Sequence, residues 1–193
     1  MPPANTRQQI VNAANDLFYR QGFDHTSFAD IAGAVQISRG NFYYHFKTKD
    51  EILDAVIETR LADTRAMIAA WAADSPDPAQ RIRSYIRILI TNWDKIRCFG
   101  CPVGTLTTEL AKLDHGAGRA ATEVFSEFRG WLAEQFRALG RTEDADELAM
   151  QVISFSQGVA TLACAFDDEA FMRSEVERMS NWLDGIAAES TRT

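Results

Sequence analysis

The sequence predicts an all-α fold: an N-terminal three-helix segment with a helix-turn-helix arrangement, followed by a longer C-terminal helical region. Three observations carry this. Apolar residues recur at three- and four-residue steps along most of the chain. Alternating Val/Ile/Thr runs and Asn-Gly hairpin signals are missing. Ser, Thr or Asp opens several periodic segments, and Gly or Pro closes them.

The first helix is expected over 6–21, with Ile10, Ala13, Ala14, Leu17 and Phe18 on one face and Gly22 as its stop. Ser27 and Asp30 form a capping box that opens a helix over 28–35. Ser38 caps a short helix over 39–46. Thr48 and Glu51 make a second capping box, opening a long helix to about residue 73. The segment Asp74-Ser75-Pro76-Asp77-Pro78 breaks the chain, with Asp77 as a cap and Pro78 at the first helical position. A helix to about residue 96 follows, carrying Ile82, Ile86, Leu89 and Trp93 in register. Cys98-Phe99-Gly100-Cys101-Pro102 interrupts it, and a short helix runs to about 113. After the joint His115-Gly116-Ala117-Gly118 comes a helix with Ala121, Phe125, Phe128, Leu132 and Phe136, ended by Gly140.

The last two helices have heptad-like spacing. Leu148, Val152, Phe155, Val159, Leu162 and Phe166 step by 4, 3, 4, 3, 4, and Met172, Val176, Met179, Leu183 and Ile186 by 4, 3, 4, 3. This is a seam seeking a partner helix. It marks Val152, Phe155, Val159, Phe166, Met172, Val176, Met179 and Leu183 as a homodimer interface, against the plainer reading that both helices cover their own core.

Composition bounds the function. The net charge of −7 is unevenly spread. Residues 1–50 hold Arg7, Arg20, Arg39, Lys47 and Lys49 against Asp16, Asp24, Asp30 and Asp50, a net +1, so the remainder carries −8. A near-neutral head on an acidic body fits a small DNA-contacting module, at 1–50, attached to something else over 51–193. There is no run of about eighteen apolar residues, so no membrane partner is expected. Met1-Pro2-Pro3-Ala4-Asn5 lacks the pattern of a signal peptide, and the three cysteines form no disulfide framework, which makes the cytoplasm the expected location. The three histidines form no catalytic constellation, and no nucleophile elbow, phosphate loop or zinc-protease motif is present. The chain is therefore not expected to be an enzyme or to carry a cofactor. One Cys-x-x-Cys, with Cys164 and His115 far off, gives no metal site.

The head carries the clearest chemistry. Ile31, Ala32 and Val35 face inward on the second helix, Ile37 plugs the turn, and Phe42 and Phe46 anchor the third helix. Arg39, Gly40, Asn41, Tyr43, Tyr44 and His45 are left to the outside. Arg39 suits guanine O6 and N7, Asn41 suits adenine N6 and N7, and Gly40 admits close backbone approach. Tyr43 and His45 can bond phosphate oxygens. The starts of the second and fourth helices, beside Ser27 and Lys49, offer N–H groups to anions.

Phe42-Tyr43-Tyr44-His45-Phe46-Lys47-Thr48-Lys49, followed by Asp50-Glu51-Ile52-Leu53, resembles the signature of the TetR family of transcriptional regulators, and Thr26-Ser27-Phe28-Ala29-Asp30-Ile31-Ala32 resembles the part before it. The resemblance implies a homodimer on a palindromic double-stranded DNA operator, with a helical ligand-binding and dimerisation domain at 51–193 that binds a small effector and releases DNA, usually as a repressor; the effector expected here is small and apolar or electrophilic. It implies phosphate contacts by Ser27, Tyr43, His45 and Lys49, and base contacts by Arg39, Gly40 and Asn41. One position departs: Gln36 stands where the turn commonly has Gly, and is strained there if its φ is positive.

The body is less specific. Its helices are rich in aromatics, and the resemblance implies a cavity among them. Tyr85, Leu89, Trp93, Cys101, Leu106, Glu109, Phe125, Phe128 and Phe155 are the candidate lining. Cys101, before Pro102 at a helix start, has its thiolate favoured by the helix dipole. Gly100-Cys101-Pro102-Val103-Gly104 with Glu109 resembles a TetR subgroup that includes regulators responding to electrophiles, quinones or flavonoid-like aromatics. The alternative to a reversible cavity ligand is thus a thiol-based redox or electrophile sensor acting through Cys101, and the plainer alternative is a buried structural cysteine.

Overall fold

The computed structural model of the chain describes residues 6–190, so the segment Met1–Asn5 read above for a leader lies outside the described residues. Within that range every regular element is an α-helix: α1 Thr6–Gln21, α2 Phe28–Val35, α3 Arg39–His45, α4 Lys49–Asp74, α5 Pro78–Thr91, α6 Trp93–Phe99, α7 Pro102–Lys112, α8 Gly118–Ala138, α9 Ala145–Phe166 and α10 Glu169–Ser190.

The anticipated starts and stops operate. Ser27 Oγ accepts from the Asp30 N–H at 3.2 Å, and the Asp30 carboxylate accepts from the Ser27 N–H at 2.8 Å. The Ser27 hydroxyl, then its N–H, hold the Asp30 carboxyl below the usual carboxylate range. Ser38 Oγ caps α3 through the Asn41 N–H. The second box is displaced by one residue. Thr48 Oγ1 accepts from the Glu51 N–H at 3.1 Å, but the Glu51 carboxylate reaches back to the Lys47 N–H at 2.7 Å. Gly22 and Gly140 sit at φ +90 and +88 after α1 and α8.

Two boundaries differ from expectation. The helix expected to run from 78 to 96 is two helices, because Asn92 leaves helical geometry at φ −106, ψ 17. Its N–H and its side-chain amide both donate to the Ile88 carbonyl, each at 3.0 Å, so the amide competes with the backbone for the acceptor that would continue the helix. The third helix ends at His45. Phe46 is extended, at φ −140, ψ 134, yet its ring is still buried.

The chain divides into two compact units, one of residues 1–62 with 102–123, the other of 63–101 with 124–193. The first contains the head and also α7. Its core joins Ile10, Val11, Ala14 and Phe18 of α1, Ile31 of α2, Phe42 of α3, Ile52, Leu53 and Val56 of α4, and Leu106 and Leu110 of α7. Arg60 is buried beside this core, donating to Asn15 Oδ1 at 2.7 Å and to the Pro102 carbonyl at 2.6 Å. In the second unit Arg81 ties down the segment before α5, donating to the carbonyls of Ser75 at 2.7 Å and Ala72 at 3.0 Å and to Gln135 Oε1 at 3.2 Å.

α9 meets the length and composition of a membrane span, with a mean hydropathy of 1.4 over eighteen residues, although 44% of that window is buried inside the fold. The apolar run expected to be missing is therefore met by average hydropathy. Its burial against α5, α6 and α10 is the packing of a core helix.

Gln36 occupies the left-handed region, at φ 58, ψ 40. Its N–H and that of Ile37 close α2 onto the carbonyls of Gly33 and Ala32. A side chain in this conformation costs about 1–2 kcal/mol. Gln36→Gly should raise the unfolding free energy by about 1 kcal/mol, read by urea denaturation with an unchanged m-value.

Candidate nucleic-acid interface and effector region

The first unit presents a polar face built on α2 and α3. A shallow groove of about 270 Å³ is lined by Ser27, Phe28, Ala29, Ala32, Arg39, Phe42 and Tyr43. Its floor is aromatic: Phe28 packs at 5.1 Å from Phe42 and edge-on at 5.6 Å from Tyr43. Phe42 is 1% exposed, while Tyr43 and Tyr44 are 45% and 79% exposed. The same seven-residue helix thus has one ring in the core and two rings in solvent.

Ser27, Arg39, Gly40 and Asn41 are exposed, and His45 and Lys49 are half-buried. Tyr44 meets His45 edge-on at 5.1 Å. The cations differ in commitment. Lys47 Nζ donates to the Tyr43 carbonyl. Lys49 Nζ donates to the carbonyls of Phe23 and Asp24, at 2.9 and 3.2 Å. Arg39 has no hydrogen-bond or ion-pair partner among the described residues. At Gly40 an added Cβ would meet nothing within 4 Å, so the protein's own packing does not demand glycine there.

In the second unit three helices bring aromatics together. Trp71 of α4 lies 5.5 Å from Trp131 of α8 and 6.4 Å from Tyr85 of α5, and Tyr85 lies 5.0 Å from Phe128. A line of polar atoms runs past them. The Tyr85 hydroxyl and Ser156 Oγ are 3.1 Å apart, and the Gln157 amide donates to Ser156 Oγ and to Cys101 Sγ, each at 3.4 Å. Burial pushes the Tyr85 phenol well above its ordinary value, with the Ser156 hydroxyl opposing.

Tyr85, Cys101 and Phe128 of the expected lining therefore meet around this line. Leu89 is buried, and Trp93, Phe125 and Phe155 are half-buried. Leu106 and Glu109 belong to the first unit, Leu106 in its core and Glu109 bonded to the turn after α1. Ser156 and Gln157 were not anticipated. The available signal was their place in a stretch of α9, Leu148 to Phe166, that has no charged residue. The cysteines are free, Cys98 exposed and the other two half-buried, and no metal-binding group exists among the described residues.

The proposed dimer residues separate as well. Val152, Val159, Met172, Val176, Met179 and Leu183 pack inside their own chain. Phe155 is half-buried and Phe166 is 74% exposed. The heptad spacing therefore marks mainly intrachain packing. The outward face of α9 is instead Met150, Ser154, Gly158, Thr161, Leu162 and Phe166.

Residues 10–56 match the bacterial regulatory proteins of the tetR family, and residues 78–178, more than half the chain, match the C-terminal domain of LmrA/YxaF-like transcriptional regulators. The chain belongs to the TetR family. It is 25% identical over 188 residues to the HTH-type transcriptional repressor DhaR of Mycobacterium sp. (strain GP1), covering 92% of this chain and 86% of that one. It is 26% identical over 156 residues to the HTH-type transcriptional regulator LmrA of Bacillus subtilis (strain 168), covering 80% and 83%. A crystal structure of a TetR transcriptional regulator from Legionella pneumophila superposes with a TM-score of 0.83 at 25% identity, covering 96% of this chain and 98% of that one. The TetR regulator described here shares with them an N-terminal helix-turn-helix followed by a helical C-terminal domain.

Tyr85 gives the second unit an alkaline signature. The folded phenol keeps its proton above 10.0, where an unfolded tyrosine loses it, so its contribution is intact below that pH and is lost as the pH rises further. In denaturant titrations between pH 9 and 11, roughly spanning that value, Tyr85→Phe should flatten the alkaline loss of stability.

Proposed function

We propose that this TetR regulator is a ligand-responsive repressor that binds a palindromic operator as a homodimer. The observation that carries the DNA reading is the uncommitted guanidinium of Arg39 beside Gly40 and Asn41, at the exposed start of α3. In a helix-turn-helix this end of the second helix enters the major groove. Arg39 and Asn41 would read base edges. Ser27, Tyr43, Tyr44 and His45, around the same groove and helix, would meet the backbone. The name of the relative DhaR, a repressor matched over most of both chains, supports the direction of regulation.

The dimer would form through the outward face of α9. From Leu148 to Phe166 this helix has no charge to desolvate, and Gly158 lets a neighbour approach. The effector would bind in the second unit against Trp71, Tyr85, Phe128 and Trp131, with Ser156, Gln157 and Cys101 offering polar contacts. A mainly aromatic, weakly polar compound fits that lining. Release follows if the compound binds better to a state whose two recognition helices miss successive major grooves, about 34–36 Å apart. A thiol switch at Cys101 has no specific support from the fold or the relatives. A cytoplasmic location, and the division of function between residues 1–50 and 51–193, belong to the same reading.

Fluorescence anisotropy on duplexes selected from random sequence tests the DNA reading. Arg39→Ala should relax preference at one base pair of each half-site, by about 1–3 kcal/mol. Gly40→Ala should hold or raise the unfolding midpoint, since a Cβ there meets nothing and alanine is the better helix former, and weaken binding. Absence of duplex binding by the unmodified protein at low salt overturns the proposal. For the dimer, Gly158→Glu adds a charge where the chain itself leaves open space. Light scattering should then show a folded monomer in place of a dimer.

A further inference from the structure

The turn joining α1 to α2 is gripped from two sides. The N–H groups of Phe23 and Asp24 donate to the two oxygens of a single carboxylate, that of Glu109 on α7, at 2.9 Å each. The carbonyls of the same two residues accept from Lys49 Nζ at the start of α4. The ammonium also lies 4.3 Å above the Phe23 ring, and His115 meets that ring edge-on at 5.2 Å. Gly22 completes the fit: at φ +90, a Cβ there would come within 2.9 Å of Glu109 Oε1.

Asp24 is exposed, so water could serve its backbone at little net cost. Opposed charges fix the position of the turn more tightly than water would, because charge-assisted bonds are shorter and stronger. Thr26 then carries that position onward. It is buried, and its hydroxyl donates to the Gly22 carbonyl at 2.6 Å. The next residue is Ser27, the cap of α2.

We infer that Glu109 and Lys49 form a clamp through which α7 and α4 set the start of α2, making both of them positioning residues for DNA binding. This rests on the DNA-binding reading above. Lys49 then acts inward, through the two carbonyls that its ammonium holds. The role differs from the phosphate contact that the resemblance implies for Lys49 and from the effector contact expected of Glu109.

Three measurements on the full-length protein test this. Amide hydrogen exchange in Glu109→Gln should accelerate at Phe23 and Asp24 while the amides of Ile52 and Leu53, in the core of α4, keep their protection. Operator affinity of Glu109→Gln and of Lys49→Gln should fall by about tenfold, the loss of one charge-assisted contact. The slope of log affinity against log salt should stay unchanged in both. Lys49→Arg, which can still donate to both carbonyls, should restore affinity. A slope shallower by about 0.9 per head in Lys49→Gln would mean a lost phosphate contact and would overturn the clamp role of Lys49. Unchanged affinity in Glu109→Gln, with the two amides deprotected, would overturn the role of Glu109. If the unmodified protein binds no duplex, the DNA reading fails by itself, and the exchange data still decide whether the clamp exists.

Discussion

Burial of Phe42 and Phe46 is the constraint on which the head depends. α3 has seven residues, well under the roughly 12–15 at which an isolated helix becomes even marginal in water. Its cap, Ser38, contributes about 1 kcal/mol, which cannot offset the cost of nucleation. A fully buried Phe is worth about 3–5 kcal/mol against Ala, and the chain spends two of them on this one helix and the residue after it. With the rings fixed, α3 has a set rotation about its axis. Arg39, Gly40 and Asn41 then face out because Phe42 and Phe46 face in. The exposure of Tyr43 and Tyr44 follows from the same rotation.

Local signals made the head legible. Ser27, Ser38, Gly22 and Pro78 act on neighbours within a few residues, so their effects can be read from spacing alone. The positive φ of Gln36 was foreshadowed only through the resemblance, in which the turn commonly has Gly at that position. Asn92 went unread because an interior Asn is tolerated in many helices. Its side-chain amide joins its own N–H on the Ile88 carbonyl, a pairing that residue spacing does not reveal. Glu109 was beyond local reading. Its partners lie more than eighty residues away and are backbone N–H groups, which carry no residue identity.

The body shows how heptad spacing can point the wrong way. A period of three and four marks one apolar stripe on a helix, without saying whether that stripe meets its own chain or another. In α9 the stripe through Val152 and Val159 turns inward. What distinguishes the opposite face is not hydrophobic strength, since Ser154, Gly158 and Thr161 lie on it, but the loss of charge over the whole stretch from Leu148 to Phe166. A solvated helix face ordinarily carries Lys, Glu or Arg. Their exclusion, together with the 74% exposure of Phe166, is the feature that calls for a partner.

Cys101 and Pro102, adjacent in the chain, each belong to a hydrogen-bonded system of their own. Cys101 Sγ ends the polar line from Tyr85 through Ser156 and Gln157. The carbonyl of the next residue, Pro102, is held by the buried Arg60, which also holds Asn15 of α1. Neither system leaves a buried side-chain polar atom unpaired among the described residues. Rearranging the polar line around a ligand would have to supply replacement partners to the buried Tyr85 hydroxyl, because Ser156 keeps its bond to the Ile153 carbonyl at 2.8 Å while an unpaired buried group costs about 1–3 kcal/mol. A compound with a hydrogen-bonding group placed among the aromatics can supply them, whereas a hydrocarbon of the same size cannot. For the effector proposed above, that difference sets a chemical condition: a ring system to lie against Trp71 and Phe128, and at least one polar atom to answer the Tyr85 hydroxyl.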